Sequence, residues 1–159
     1  MSRENDSAAS SDRFFVDGQW RFRCWCCGHP TLEEGGGSTY EICSRCGWED
    51  DHVQNRDPSY RGGANSGSLL DYRRDLLEHA SDWNHHPGNS HKLPRFIVKT
   101  ADGELETLDA GVEWLTQRIA SGSAPLVASR ADGPFVVLFL YDSLPGQPPP
   151  PAPPGFEAG

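Results

Sequence analysis

The residues in this chain with the clearest chemistry are five cysteines, Cys24, Cys26, Cys27, Cys43 and Cys46. CWCCG at 24–28 and CSRCG at 43–47 each contain Cys-x-x-Cys followed by glycine, and fifteen residues separate Cys27 from Cys43. Two thiolates three positions apart can grip one ion from a tight turn, and the trailing glycine can take the positive φ that such a turn requires. Two such turns supply the four sulfurs of a closed tetrahedral zinc site, so Cys24, Cys27, Cys43 and Cys46 are the expected ligands of one structural Zn2+. Cys24 and Cys27 reproduce the spacing of Cys43 and Cys46, which leaves Cys26 as the spare thiol and an accessory residue. A closed four-sulfur site has no open position for water and is expected to stabilise the fold without activating a nucleophile.

Other chemistry-bearing groups are weaker signals. His29 follows the first knuckle but competes with four better-spaced thiols. Glu49, Asp50 and Asp51 follow the second knuckle and form a possible accessory carboxylate site for a cation, a basic partner or acid–base work, with a solvated face as the plain alternative. His79, His85, His86 and His91 match no regular ligand spacing.

The totals narrow the setting. Fourteen Lys and Arg against 23 Asp and Glu give a formal charge of −9, which repels phosphate backbones. Residues 20–50 carry three Arg against five Asp and Glu, so no basic stripe speaks for nucleic acid. There is no apolar run long enough to span a membrane, and MSRENDSAASSDR lacks the features of a secretory signal, so the expected address is cytoplasmic. In a reducing compartment, clustered cysteines read as metal ligands before disulfides.

The elements that must position the cysteines are read as an α+β chain. Residues 1–13 are expected to be a disordered leader, and 14–80 a cysteine-rich, zinc-ribbon-like knuckle domain with a following helix. Residues 81–94 read as a linker, 95–142 as a small α+β part, and 143–159 as a Pro-rich disordered tail. The helix starts at the Ser68 cap, with Leu69, Tyr72, Leu76 and Ala80 on one face and Leu70 and Leu77 beside it. In the C-terminal part, RFIVKT and ELETL flank one Asp-Gly pair, while PLVASR and PFVVLFLY flank another. Each pair suits a hairpin turn, so two hairpins bracket a helix carried by Val112, Leu115 and Ile119, with Asp109 as cap and Gly122 as stop. The run Phe135–Tyr141 is apolar on both faces, which predicts a central strand covered on each side by the helix or by the zinc unit. Seven prolines among residues 143–159 predict an extended tail, either solvated or docking as a polyproline ligand.

CWCCGHPTLEE, YEICSRCGWEDDHVQ and GGANSGSL resemble the cysteine-rich CPCC family of small bacterial proteins. The resemblance runs from about Cys24 to about Arg74, roughly a third of the chain. Trp25 stands where the family motif has its proline, which removes a rigid φ but no sulfur. The resemblance implies a metal-binding domain and no catalytic residues. Together these readings point to a non-enzymatic zinc-binding module that presents an interaction surface to a protein partner, for which the charge favours a basic one. The alternatives are a small metal-dependent enzyme using Glu49, Asp50 and Asp51, or an acidic immunity-like protein that neutralises a basic toxin.

Overall fold

The computed structural model describes residues 13–81, 95–144 and 147–158. The chain enters through a hairpin of β1 (Arg13–Val16) and β2 (Gln19–Arg23). Asp17 and Gly18 both take positive φ, +50° and +79°, the geometry that matches a two-residue turn to the twist of its strands. The Asp-Gly between FFV and QW is the same hairpin signal that marks the later turns, and it goes beyond the reading made of this segment above. Arg13, expected in a disordered leader, instead opens β1 opposite Phe22; residues 1–12 lie outside the described residues. β3 (Pro30–Leu32) pairs antiparallel with β2, and a register shift at Phe22/Arg23 swings the chain into the first knuckle. The second knuckle is closed by a bridge between Ile42 and Glu49 and leads into the short helix α1 (His52–Arg56), capped by Asp51.

Helix α2 (Leu69–Glu78) begins where the sequence placed it. The Ser68 side chain accepts from the Asp71 N–H, and the Asp71 carboxylate accepts from the Ser68 N–H, a complete capping box. Its apolar residues divide between two cores. Leu69, Tyr72 and Leu76 pack with the cysteines, Trp48 and Leu32, whereas Leu70, Leu77 and Ala80 pack with the C-terminal sheet. The helix thus lies between the knuckles and the rest of the chain.

The C-terminal part forms β4 (Arg95–Thr100), β5 (Gly103–Leu105), α3 (Leu108–Ala120), β6 (Leu126–Asp132) and β7 (Phe135–Tyr141). Both expected hairpins are present, and β4 and β7 pair in parallel across the α3 crossover, giving the mixed sheet β5-β4-β7-β6, which β8 (Glu157–Ala158) extends at the β6 edge. β7 is central because Val136, Leu138 and Leu140 bury one face against Val112, Leu115 and Ile119 of α3. Thr107, not Asp109, caps α3: the Thr107 hydroxyl accepts from the Ala110 N–H, and Asp109 sits inside the first turn. Gly122 follows the helix at φ +97°, as its stop position requires.

The other face of β7 corrects two expectations. Phe139 packs there against Tyr141 and against Phe156, so the C-terminal tail covers this face in place of the zinc unit. The tail is also not disordered to its end. Glu157 and Ala158 form β8 on the edge of β6, and the Arg130 guanidinium lies 4.8 Å from the Phe156 ring centroid. Phe156 is the one aromatic in the tail, and its burial together with the unpaired edge of β6 accounts for the return. Of the expected linker, residues 82–94 lie outside the described residues.

The helix cap makes a direct test. Ser68→Ala is expected to destabilise the protein by about 1 kcal/mol in urea unfolding, through loss of the cap bond. Arg61→Ala, which removes the exposed partner of Asp71, is expected to cost less than half of that.

Candidate metal centre

The two knuckles are built alike, down to their backbone bonds. The Cys24 N–H donates to the His29 carbonyl and the Gly28 N–H to the Cys24 carbonyl; Cys43 with Trp48, and Gly47 with Cys43, repeat both bonds. Gly28 and Gly47 stand at φ +78° and +79°, which lets each turn close without a Cβ clash. At Gly28 the need is also steric, since a Cβ would lie 2.8 Å from the Ser123 carbonyl oxygen.

These turns bring Cys24, Cys27, Cys43 and Cys46 together, with all four sulfurs within 4.8 Å of one another. The Cys24–Cys46 and Cys27–Cys43 sulfur pairs are 3.6 and 3.8 Å apart. A tetrahedral ion with metal–sulfur bonds of about 2.3 Å requires sulfur–sulfur edges of about 3.8 Å, so the donor set and its size fit one zinc-like cation. The Cys43 sulfur also accepts from the Thr31 hydroxyl at 3.0 Å and from the N–H groups of Arg45 and Cys46 at 3.4 and 3.5 Å. Hydrogen bonds from Cys24 first, then from Cys27 and Cys46, pull the Cys43 thiol well below its ordinary pKa. Cys46 is pushed up, first through its hydrogen bond with Cys24. One thiolate is therefore easily formed, and further deprotonation is opposed until a cation offsets the gathered charge. Cys46 is the only one of the four that is not fully buried, and with Cys27 it lines a cavity of about 400 Å³. Cys26 is fully buried and stands outside the group of four.

Side chains that sequence spacing did not single out anchor this centre to the rest of the fold. Arg73 of α2 is buried and forks onto the knuckle backbone, with Nε on the Cys26 carbonyl at 2.9 Å and Nη2 on the Trp25 carbonyl at 2.7 Å. Its Nη1 reaches the Thr116 hydroxyl on α3 at 3.0 Å. Burial lowers the Arg73 pKa, an effect countered by the neighbouring cysteines. Arg23 donates to the carbonyls of Gly28, Ile119 and Ser123, again joining knuckle to α3. His29 Nε2 donates to the Pro125 carbonyl at 2.9 Å, and burial lowers its pKa to about 4. It is thus neutral at pH 7 and already engaged away from the sulfurs. Each of these arginines satisfies main-chain carbonyls far away in sequence, a role that leaves no local pattern.

Glu49, Asp50 and Asp51 do not form a shared carboxylate site. Asp50 is buried and accepts from the Thr39 N–H, the Thr39 hydroxyl and Asn55 Nδ2. Asp51 caps α1 and accepts from the Ala64 N–H at 2.8 Å; that bond is the main reason its carboxyl lies below the usual range. Glu49 contributes its main chain, which exchanges hydrogen bonds with the Asn65 side chain. Gln54 Oε1 accepts from both nitrogens of Asn65, so the run after the second knuckle is a folded clasp around buried amides. Asp75, Glu78 and His79 on α2 also lie close together, at the surface, with Glu78 paired to Arg74. His85, His86 and His91 lie outside the described residues.

Residues 22–89 match the family model described as Cysteine-rich CPCC, a span short of half the chain. No curated protein matches the sequence.

Substitutions at two positions separate anchoring from chemistry. Arg73→Met is expected to cost about 2–4 kcal/mol in urea unfolding because two buried carbonyls lose their donors, and Arg73→Lys to recover little of it, since an ammonium cannot fork. Asp50→Ala is expected to destabilise by about 1–3 kcal/mol while bound metal per folded chain stays unchanged, because its acceptors serve Thr39 and Asn55.

Proposed function

With residues 22–89 forming a cysteine-rich CPCC domain, we propose that the protein is a zinc-stabilised, non-enzymatic interaction module. The observation that carries the reading is the closed group of four sulfurs within 4.8 Å of one another. Cys24, Cys27, Cys43 and Cys46 would hold one Zn2+, and the ion would supply the charge that lets four buried thiolates coexist. With four sulfurs bound it has no position left for water or substrate, so its part is architectural. The knuckles have few apolar residues of their own, and small units of this kind depend on a metal to fold. Of the three carboxylates that would serve an enzyme, those of Asp50 and Asp51 are already used as acceptors by Thr39, Ala64 and the first turn of α1. A net charge of −9 supports a basic protein as a partner and disfavours nucleic acid. No helix among the described residues is long and apolar enough to cross a membrane.

Elemental analysis of the untagged protein tests the assignment. One zinc per chain is expected in the wild type and in Cys26→Ser. Cys43→Ser is expected to lose the ion and to unfold at a markedly lower temperature. Acidification should release the zinc, because protons compete for the thiolates. A wild-type protein without zinc, or zinc retained in Cys43→Ser, would overturn the reading.

A further inference from the structure

Two surface features remain that the metal centre does not use, and their chemistries match. The first is an aromatic stripe. The pairing of β1 with β2 sets Arg13 opposite Phe22 and Phe15 opposite Trp20, which places all four side chains on one face of the hairpin. Phe15 and Trp20 are 57% and 51% exposed, with their rings 5.1 Å apart, and the Arg13 guanidinium lies 4.3 Å over the Trp20 ring. The stripe continues through Phe22 into a cavity of about 390 Å³ that Phe22, Trp25, Leu32, Pro58 and Leu69 line. Gly35 and Gly37 form one wall of it and lie against the rings: a Cβ at Gly35 would meet the Phe22 ring at 2.4 Å, and one at Gly37 the Trp25 indole nitrogen at 2.9 Å. Among the described residues, neither the Trp20 nor the Trp25 indole N–H has a hydrogen-bond acceptor.

The second feature is the run Pro148-Pro149-Pro150-Pro151-Ala152-Pro153-Pro154. It is largely exposed, and it is fastened at both ends. Before it, the Ser143 carbonyl accepts from the Ala124 N–H; after it, Phe156 and β8 dock on the sheet. Prolines have no N–H to give to a sheet, and their composition disposes the run to polyproline II, whose carbonyls stay free to accept. Such segments are read by aromatic-lined grooves, where the proline rings sit between aromatic side chains and indole N–H groups meet the carbonyls. Because the run is tethered on both sides, part of the ordering cost of binding is already met by the fold.

We propose that the Pro-rich run of one chain docks on the Phe15–Trp20–Phe22 stripe of a second copy, so that the partner of this surface is the protein itself. Glu157 beyond the run and Arg13 beside the stripe carry opposite charges, which favours the same pairing. In the single chain Phe156 and β8 hold only the end of the run, and its prolines stay largely exposed. The inference rests on the interaction reading above and replaces its basic partner, for this surface, with a second copy whose docking run carries no charged residue.

The test uses full-length protein whose zinc content has been measured first, so that failure of the metal assignment appears there and not in the binding data. A synthetic peptide of residues 147–155, QPPPPAPPG, is titrated while tryptophan fluorescence is followed, and self-association is read by sedimentation across a concentration series. The expected result is a saturable shift that weakens about tenfold or more in Trp20→Ala, the loss of one aromatic anchor. Concentration-dependent association should be lost both in Trp20→Ala and in a Pro150→Ser, Pro151→Ser, Pro153→Ser chain. Neither change touches a buried side chain, so folding is expected to be retained, and circular dichroism checks it. No saturable response to the peptide, an equal response in Trp20→Ala, or a chain that stays monomeric throughout would each overturn the proposal.

Discussion

Four sulfurs held within 4.8 Å of one another, three of them on buried cysteines, set the terms for the N-terminal half of this protein. As thiols they can share protons along a small hydrogen-bonded ring, with Cys43 the easiest to ionise. As thiolates they repel strongly in a region that excludes water, and a cation must offset that repulsion. The backbone around them is arranged for the charged form: two turns of identical bonding, a glycine closing each, and N–H groups and the Thr31 hydroxyl directed at the Cys43 sulfur. The aromatic and apolar residues that surround the site, Trp48, Leu32 and Leu69, then pack against a centre of defined shape.

From that centre the order of the fold spreads through α2. Its two apolar faces serve two cores, and its buried Arg73 spans the gap between them by donating to the knuckle carbonyls and to Thr116 of α3. Arg23 and His29 add the reverse connection, from the knuckle to the end of α3 and the start of β6. Gly111 on α3 lets the helices approach, since a Cβ there would stand 3.0 Å from a Leu77 methyl. These contacts are polar where they satisfy carbonyls and apolar where helix meets helix. The cysteine cluster and the sheet are therefore joined by direct contacts, although residues 82–94 lie outside the described residues.

The acidic run shows how a site-like sequence can be spent on structure. Glu49, Asp50 and Asp51 stand together in the chain, yet the bridge between Ile42 and Glu49 and the start of α1 send their carboxylates in different directions. Two of them then meet donors: Thr39 and the Asn55 side chain for Asp50, and the first turn of α1 and Ala64 for Asp51, while Glu49 engages Asn65 through its main chain. The tail shows the opposite case, in which composition suggested an extended chain, solvated or docking, and no strand. Seven prolines outweigh one phenylalanine in any count. Phe156 nevertheless finds Phe139 and Arg130, and two residues close the β6 edge.

By itself the sequence determined what depends on neighbours along the chain. Paired Cys-x-x-Cys turns with trailing glycines named the four sulfurs that come together. The Ser68 cap and the spacing of leucines defined α2, and Asp-Gly pairs between apolar runs defined the C-terminal hairpins. Each of these rests on φ preferences, side-chain period or short-range hydrogen bonds, which a linear pattern records. Only the tertiary structure decided the parallel pairing of β4 with β7, the covering of β7 by Phe156, the burial of Arg73 and the dispersal of the acidic run. These depend on which surfaces meet after the elements form, and on which buried carbonyls need a donor once water has gone. Arg73 meets Cys26, and β4 meets β7, across forty or more positions, and nothing in the local spacing of these residues marks the partner.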